Sequence, residues 1–351
     1  MWVCLHCVNE ALQAGYRVRA TVRSLTNPKK TAPLKALANQ ERLELVEADL
    51  LKPESWPPAV EGVSIILHVA SPFLVDQPED ENVLIKPAVE GTLNVLQAAA
   101  GSGGSVQRVV LTSSTAAVFE PTHPEGPQAL QAPGPGGHLS PQGRHFTEAD
   151  WSIVEHPSMT AYLKSKTLAE KAAWDFVKEL PEEQRFELVT INPGFILGPP
   201  LGPGECTSAD VVKQMLMGSY PLLPRVHMEC IDVRDVAKAH VKAAQVPEAG
   251  DTTWWFKDLG QVLKEEFNKY GYSASGREAP DCLLKVVAWF NSTMRQMVPR
   301  LSFDYVMENG RMKQILGITE PIPLKKSLTD MGHKLIELGY IPKKPAYTPP
   351  N

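Results

Sequence analysis

Hydrophobic and polar positions alternate along this chain between two periods. Val18, Ala20 and Val22 fall two apart in Tyr16 to Val22, which predicts a strand after a helix that ends at Gly15. Leu43 to Val46 predicts a second strand, turning at Asp49. Val63 to Ala70 and Val106 to Thr112 are almost wholly apolar. Such short runs suit strands covered by helices on both faces. Helical spacing runs through Val83 to Ala100 and Tyr162 to Leu180, and Phe186 to Ile191 is strand again, stopped by Pro193. Strand and helix in alternation predict an α/β fold with a parallel sheet and right-handed crossovers.

The alternation breaks twice. Pro121 to Glu148 holds six prolines and five glycines and is expected to be a surface loop. Beyond Pro193 the regular pattern fades, with amphipathic helices expected over Leu259 to Tyr270 and Leu324 to Leu338. The expected division is an α/β domain over 1–192 and a smaller, mostly helical lobe over 193–351. Residues 226–245 are expected to return and complete the sheet.

Composition narrows the function. A chain of 351 residues with 35 Lys and Arg against 40 Asp and Glu carries a formal charge of −5, which removes the electrostatic basis for nucleic-acid binding. No apolar run reaches the length of a membrane helix. Five widely spaced cysteines form no disulfide framework, and Cys4 with Cys7 lacks the second pair a metal site needs. No metal is expected, and a soluble, reducing compartment such as the cytoplasm is.

The chemistry gathers around three residues. Tyr162 and Lys166 stand four apart in YLKSK, on one face of a predicted helix. An ammonium beside a phenol favours the phenolate and is expected to lower the tyrosine pKa, suiting proton transfer at a carbonyl or carbinol oxygen. The plainer reading is a helix surface pair. Ser114 closes a buried strand at Thr112-Ser113-Ser114-Thr115, where open sheets bind ligands. It either hydrogen-bonds a substrate oxygen or caps the next helix. Arg23 follows the first strand, and no acid lies between Glu10 and Glu41. A fold preferring NAD would carry one there to hold a ribose hydroxyl. Arginine instead matches a 2′-phosphate, unless this is simply a solvated basic edge. Asp49-Leu50 and Val69-Ala70-Ser71, at later strand ends, are candidates for adenine and pyrophosphate contacts.

These segments together resemble the extended short-chain dehydrogenase/reductases, in their dihydroflavonol reductase-like branch of NADPH-dependent ketone and aldehyde reductases. The resemblance runs through GYRVRATVRS (from Gly15), EADL (from Glu47), HVASP (from His68), KPAVEGTLNVL (from Lys86), VVLTSSTAAV (from Val109), YLKSKTLAEKAAW (from Tyr162), INPGFILGP (from Ile191) and IDVRDVAKAH (from Ile231). It implies a Rossmann-like fold that binds NADP(H) in preference to NAD(H). It implies that Tyr162 is the general acid/base, that Lys166 holds the nicotinamide ribose, and that Ser114 is the catalytic serine. Arg23 and Lys30 would grip the 2′-phosphate, and Asp49 and Leu50 the adenine. Val69, Ala70 and Ser71 would contact the cofactor, with Pro193, Gly194, Phe195 and Ile196 near the nicotinamide. The substrate would be a small carbonyl or alcohol, and the enzyme a monomer or homodimer. Other enzymes of this architecture, such as hydroxysteroid dehydrogenases and sugar epimerases or dehydratases, share the triad, and a catalytically silent dinucleotide binder is the third alternative.

The sequence departs from that family in three places. Met1 aligns where the middle glycine of the family's GxxGxxG turn belongs and Cys4 where the third does, so the first strand and its glycine turn are expected to be missing. About eight residues are absent near Gly250, and Ala88 stands where the family's catalytic asparagine is expected. The intact reaction centre favours a truncated active enzyme over a decayed one.

Overall fold

The computed structural model describes residues 2–71, 80–119, 139–140, 143–156, 159–202, 204, 206–244, 252–290, 292–301, 305–308 and 310–350. The front half alternates as expected: α1 (Trp2–Gln13), β1 (Val18–Val22), α2 (Pro28–Lys35), β2 (Leu43–Glu47), α3 (Trp56–Val60), β3 (Ile65–His68), α4 (Asn82–Ala100), β4 (Arg108–Thr112) and α5 (Thr115–Val118). Two short strands follow, β5 (Leu139–Ser140) and β6 (Gly143–Phe146), then α6 (Ala161–Glu179) and β7 (Glu187–Ile191). The expectation of an unbroken loop from Pro121 to Glu148 is corrected at its end, where β6 pairs with β5 and with a distant strand. The rest of that interval lies outside the described residues, apart from 147 and 148.

The back part comprises β8 (Phe195–Leu197), α7 (Thr207–Leu216), β9 (His227–Asp232), α8 (Val233–Ala243), β10 (Thr252–Trp255), α9 (Phe256–Phe267), α10 (Asp281–Val287), α11 (Ser292–Met297), β11 (Tyr305–Met307), α12 (Gly310–Ile315) and α13 (Leu324–Glu337). Its core joins α7, α9 and α13 through Leu216, Leu259, Leu263, Phe267, Leu328 and Leu335.

The main sheet runs β3-β4-β7, all parallel. Central β4 shows why its sequence does not alternate. Val109 packs with Val95, Leu96 and Ala173 of α4 and α6 on one face, and Val110 packs with Ala239 and Ala243 of α8 on the other. Both valines are fully buried, each contributing about 2 kcal/mol of apolar transfer. The return of 226–245 to this sheet is corrected. Strand β9 pairs with β8 and β10 in a separate three-stranded sheet, and the segment meets the main sheet through side chains of α8 and Ile231 of β9.

Strands β1 and β2 form their own parallel pair, closed by Leu5, Leu12, Ala20, Leu34 and Leu37. No strand among the described residues joins it to β3. Helix α1 stops at Gly15, whose φ of 93° is the left-handed geometry that a glycine adopts without strain. At its other end Trp2 is buried in the core of the back lobe, its indole N–H donating to Gly204 O at 3.3 Å.

Candidate active site

The sheet places its chemistry at the carboxyl ends of β3, β4 and β7. Extended Ser114 leaves β4 and caps α5, its Oγ accepting the Ala116 N–H at 3.2 Å. The same hydroxyl bonds the Tyr162 phenol. The two readings of Ser114 are therefore compatible, because one oxygen can cap and still meet a partner. Tyr162 sits in the first turn of α6, where Thr160 caps the helix by accepting from Leu163 N at 3.3 Å. One turn on, Lys166 Nζ lies 5.9 Å from the centre of the Tyr162 ring.

The expected direction of the tyrosine shift is corrected. Burial raises the Tyr162 pKa, and the Ser114 hydrogen bond only partly opposes it. Taking a phenolate out of water costs more than the hydroxyl returns. Burial also pushes Lys166 down to about 8, with Glu170 holding it up. His68, at the end of β3, is held down to about 4 by burial and then by Lys166. A neutral buried histidine agrees with a structural role.

Two residues that sequence reasoning missed complete the cluster. Glu170 continues the Tyr162-Lys166 spacing by one more turn, and that i, i+4, i+8 pattern was the available signal. It accepts from Ser113 Oγ, from Asn192 Nδ2 at 2.8 Å and from Trp174 Nε1 at 3.3 Å. Asn192, just past β7, also donates to Ser114 O at 3.2 Å. Pro193 O accepts from Thr115 N at 3.1 Å. A Cβ on Gly194 would stand 2.3 Å from Glu229 O, so glycine is required for β8 to approach β9. Glu229 itself is pushed up to about 7 by burial, and its Oε2 lies 3.5 Å from Thr115 Oγ1.

The remaining candidates divide among the strand ends. Pro193 to Ile196 run past Ser114 into β8, while Val69, Ala70 and Ser71 follow β3. Arg23 and Lys30 are exposed beside β1. Asp49 Oδ1 accepts from Leu51 N at 3.1 Å, holding the turn after β2, and Leu50 packs against Gly91 of α4. Ala88 is buried in α4. Asn94, further along α4, donates to Leu50 O at 2.7 Å. A cavity of about 130 Å³ beside Cys230, Asp232 and Ser327 includes none of the strand-end cluster. Among the described residues no group of His, Cys, Asp or Glu is arranged to hold a metal, and no helix is long and apolar enough to cross a membrane.

Several known proteins resemble this chain in sequence and fold. A cinnamoyl-CoA reductase of Medicago truncatula is 40% identical over 233 residues, a match spanning 66% of this chain and 66% of that one. Cinnamoyl-CoA reductase 1 of Arabidopsis thaliana is 35% identical over 330 residues, spanning 92% and 85%. The solved structure of yeast methylglyoxal/isovaleraldehyde reductase Gre2 complexed with NADPH superposes with a TM-score of 0.74 at 27% identity, over 96% of each chain. The model of the NAD dependent epimerase/dehydratase family matches residues 3–255, and the chain belongs to that family, in the extended short-chain, dihydroflavonol reductase-like branch.

Proposed function

We propose that this chain is an NADPH-dependent oxidoreductase that reduces the ketone or aldehyde of a small organic or aromatic substrate. The observation that carries the reading is the bond between the Ser114 and Tyr162 hydroxyls at the end of β4, with the Lys166 ammonium one turn along. The relatives named for carbonyl reduction, one of them complexed with NADPH, support it.

The residues present suit the dinucleotide at its two ends. Exposed Arg23 and Lys30 offer charge for a 2′-phosphate, and Lys166 offers donors for the nicotinamide ribose. Bound NADPH supplies hydride for the carbonyl carbon. Tyr162 passes its phenolic proton to the carbonyl oxygen, and the raised pKa keeps that proton on the phenol until it is needed. Ser114 donates to the same oxygen and fixes its position. Lys166, while charged, stabilises the phenolate left behind. The reading places the enzyme in the cytoplasm, as a monomer or homodimer.

NADPH absorbance followed against a panel of aromatic and aliphatic aldehydes and ketones tests the reading. Turnover is expected with at least one class, and Tyr162→Phe should lower it by about a hundredfold or more. Folded protein that turns over none of them, or a Tyr162→Phe variant as fast as the parent, would sink it.

A further inference from the structure

The deepest charged group of the cluster has no part in the proton transfer above. Glu170 is 5% exposed, yet three donors from three elements converge on it: Ser113 at the end of β4, Asn192 past β7, and Trp174 of α6. A carboxyl surrounded only by donors is matched as an acceptor on both oxygens, the inventory of the ionised form. A charge this far from water is retained only with such partners or an opposite charge nearby. The opposite charge is Lys166, one turn toward Tyr162 on the same helix.

We propose that Glu170 is a positioning residue of the reductase site: its carboxylate keeps Lys166 cationic and ties the Ser113–Ser114 strand end to α6. The inference rests on the proposed function, since it gives Lys166 and Ser114 their tasks. The geometry of the tie is explicit. Ser113 bonds Glu170 and Ser114 bonds Tyr162, so two consecutive residues at the strand end are held at two points, two turns apart, on one helix. Asn192 Nδ2 spans Glu170 Oε2 and Ser114 O, so β7 is fastened to the same point. Loss of the carboxylate would disturb the Ser114–Tyr162 pair without touching either residue.

Among the described residues, Lys166 has few other charges around it. His68 faces it from β3 and is neutral, as its pKa of about 4 requires. Tyr162 faces it from α6 and stays protonated. Among the described residues, those past the ends of β4 and β7 that meet the cluster, Ser113, Ser114 and Asn192, are uncharged, Thr112 turns away to His240 of α8, and Lys86 and Glu90 of α4 are exposed. Glu170 is therefore the group that opposes the desolvation of the ammonium.

The test is the titration of Lys166, followed by NMR of lysine labelled at Cε, with Lys166→Met to assign the signal. It needs neither cofactor nor substrate. The parent is expected to titrate near 8. Glu170→Gln, close in shape but uncharged, should lower that value by about one pH unit. Glu170→Asp keeps the charge and should leave it near the parent's. The alkaline fall of kcat/KM should move with the titration, costing Glu170→Gln about fivefold at pH 8. Unaltered titration in Glu170→Gln overturns the proposal. So does an equal downward shift in Glu170→Asp, which would make the effect one of packing. If Glu170→Gln does not fold, Ser113→Ala carries the test of the tie, with kcat reduced and the Lys166 titration held. A parent-like kcat in Ser113→Ala refutes it. The two readings fail separately: a fully active Tyr162→Phe removes the reductase, whereas an inactive Tyr162→Phe beside an unshifted Glu170→Gln removes only this inference.

Discussion

Acidification should weaken this fold through His240, by an amount the structure lets one calculate. His240 has no exposed surface and bonds on both sides of its ring. Its Nδ1 lies 2.8 Å from Val236 O, which can only accept, so Nδ1 carries the proton. Nε2, 2.6 Å from Thr112 Oγ1, is then the acceptor. Burial depresses the pKa to about 4 from the 6.5 of an exposed imidazole. The folded value is the lower one, so as pH falls the unfolded chain takes the proton first. The stability this residue contributes is complete above about pH 6.5 and drains away toward pH 4. Between pH 7 and pH 5 the loss is about 2 kcal/mol. His68 is lowered to the same value and adds a loss of similar size. Glu229 acts oppositely. Its folded value near 7 makes the folded state bind protons first, returning about 2 kcal/mol over the same interval. The overall slope therefore does not isolate His240, but a comparison with His240→Gln does. The variant should be less stable at pH 7, and the gap should narrow by about 2 kcal/mol at pH 5, measured by urea unfolding at both. A gap independent of pH would show that His240 does not stay neutral in the fold and would refute the argument.

Two further outcomes follow from contacts at the site. Gly194→Ala puts a Cβ 2.3 Å from Glu229 O, a backbone atom that cannot swing aside, so unfolding should require about 2–3 kcal/mol less, and an unchanged urea midpoint would contradict it. Arg23→Glu should weaken NADPH binding by about tenfold or more in a calorimetric titration while changing NADH binding less. Equal effects on both cofactors would remove the 2′-phosphate from its task.

The sequence carried the sheet because β4 has to be apolar on both faces, and Val109 and Val110 meet α4 and α8 there. It carried Ser114, Tyr162 and Lys166 because four residues of helix and one strand end are local geometry. Three features were not local. Residues 226–245 lack any signal for which strand they join, and hydrogen bonds to β8 and β10 decide it. The pairing of β6 with β11 crosses more than 150 residues of sequence and leaves no pattern inside the Pro/Gly-rich interval. The direction of the Tyr162 shift depended on burial, and spacing reports only the neighbouring charge. Glu170 was legible in part: its third step on the helix face was visible, but the three donors that explain it come from β4, β7 and α6 together.

The division between the two sheets has a functional consequence that can be measured. Ser114, Tyr162, Lys166 and Glu170 all belong to the unit built on β3-β4-β7, whereas Arg23 and Lys30 belong to the β1-β2 unit. On the proposed function, the first unit would hold the reaction centre and the second the far end of the cofactor. No strand among the described residues couples them, and side chains from α3, α4 and the β2 turn contribute to their spacing. Leu50 is pressed on Gly91, Asn94 donates to Leu50 O at 2.7 Å, and Trp56 is buried with Val95 and Val109. Asn94→Ala removes the one hydrogen bond of that set between the β2 turn and α4, costing about 1 kcal/mol. If that cost is expressed in the spacing of the two units, the KM for NADPH should rise by about fivefold while kcat at saturating cofactor stays near the parent's. A fall in kcat with KM unchanged would mean that Asn94 supports the reaction centre directly and that the two units are not coupled through this turn.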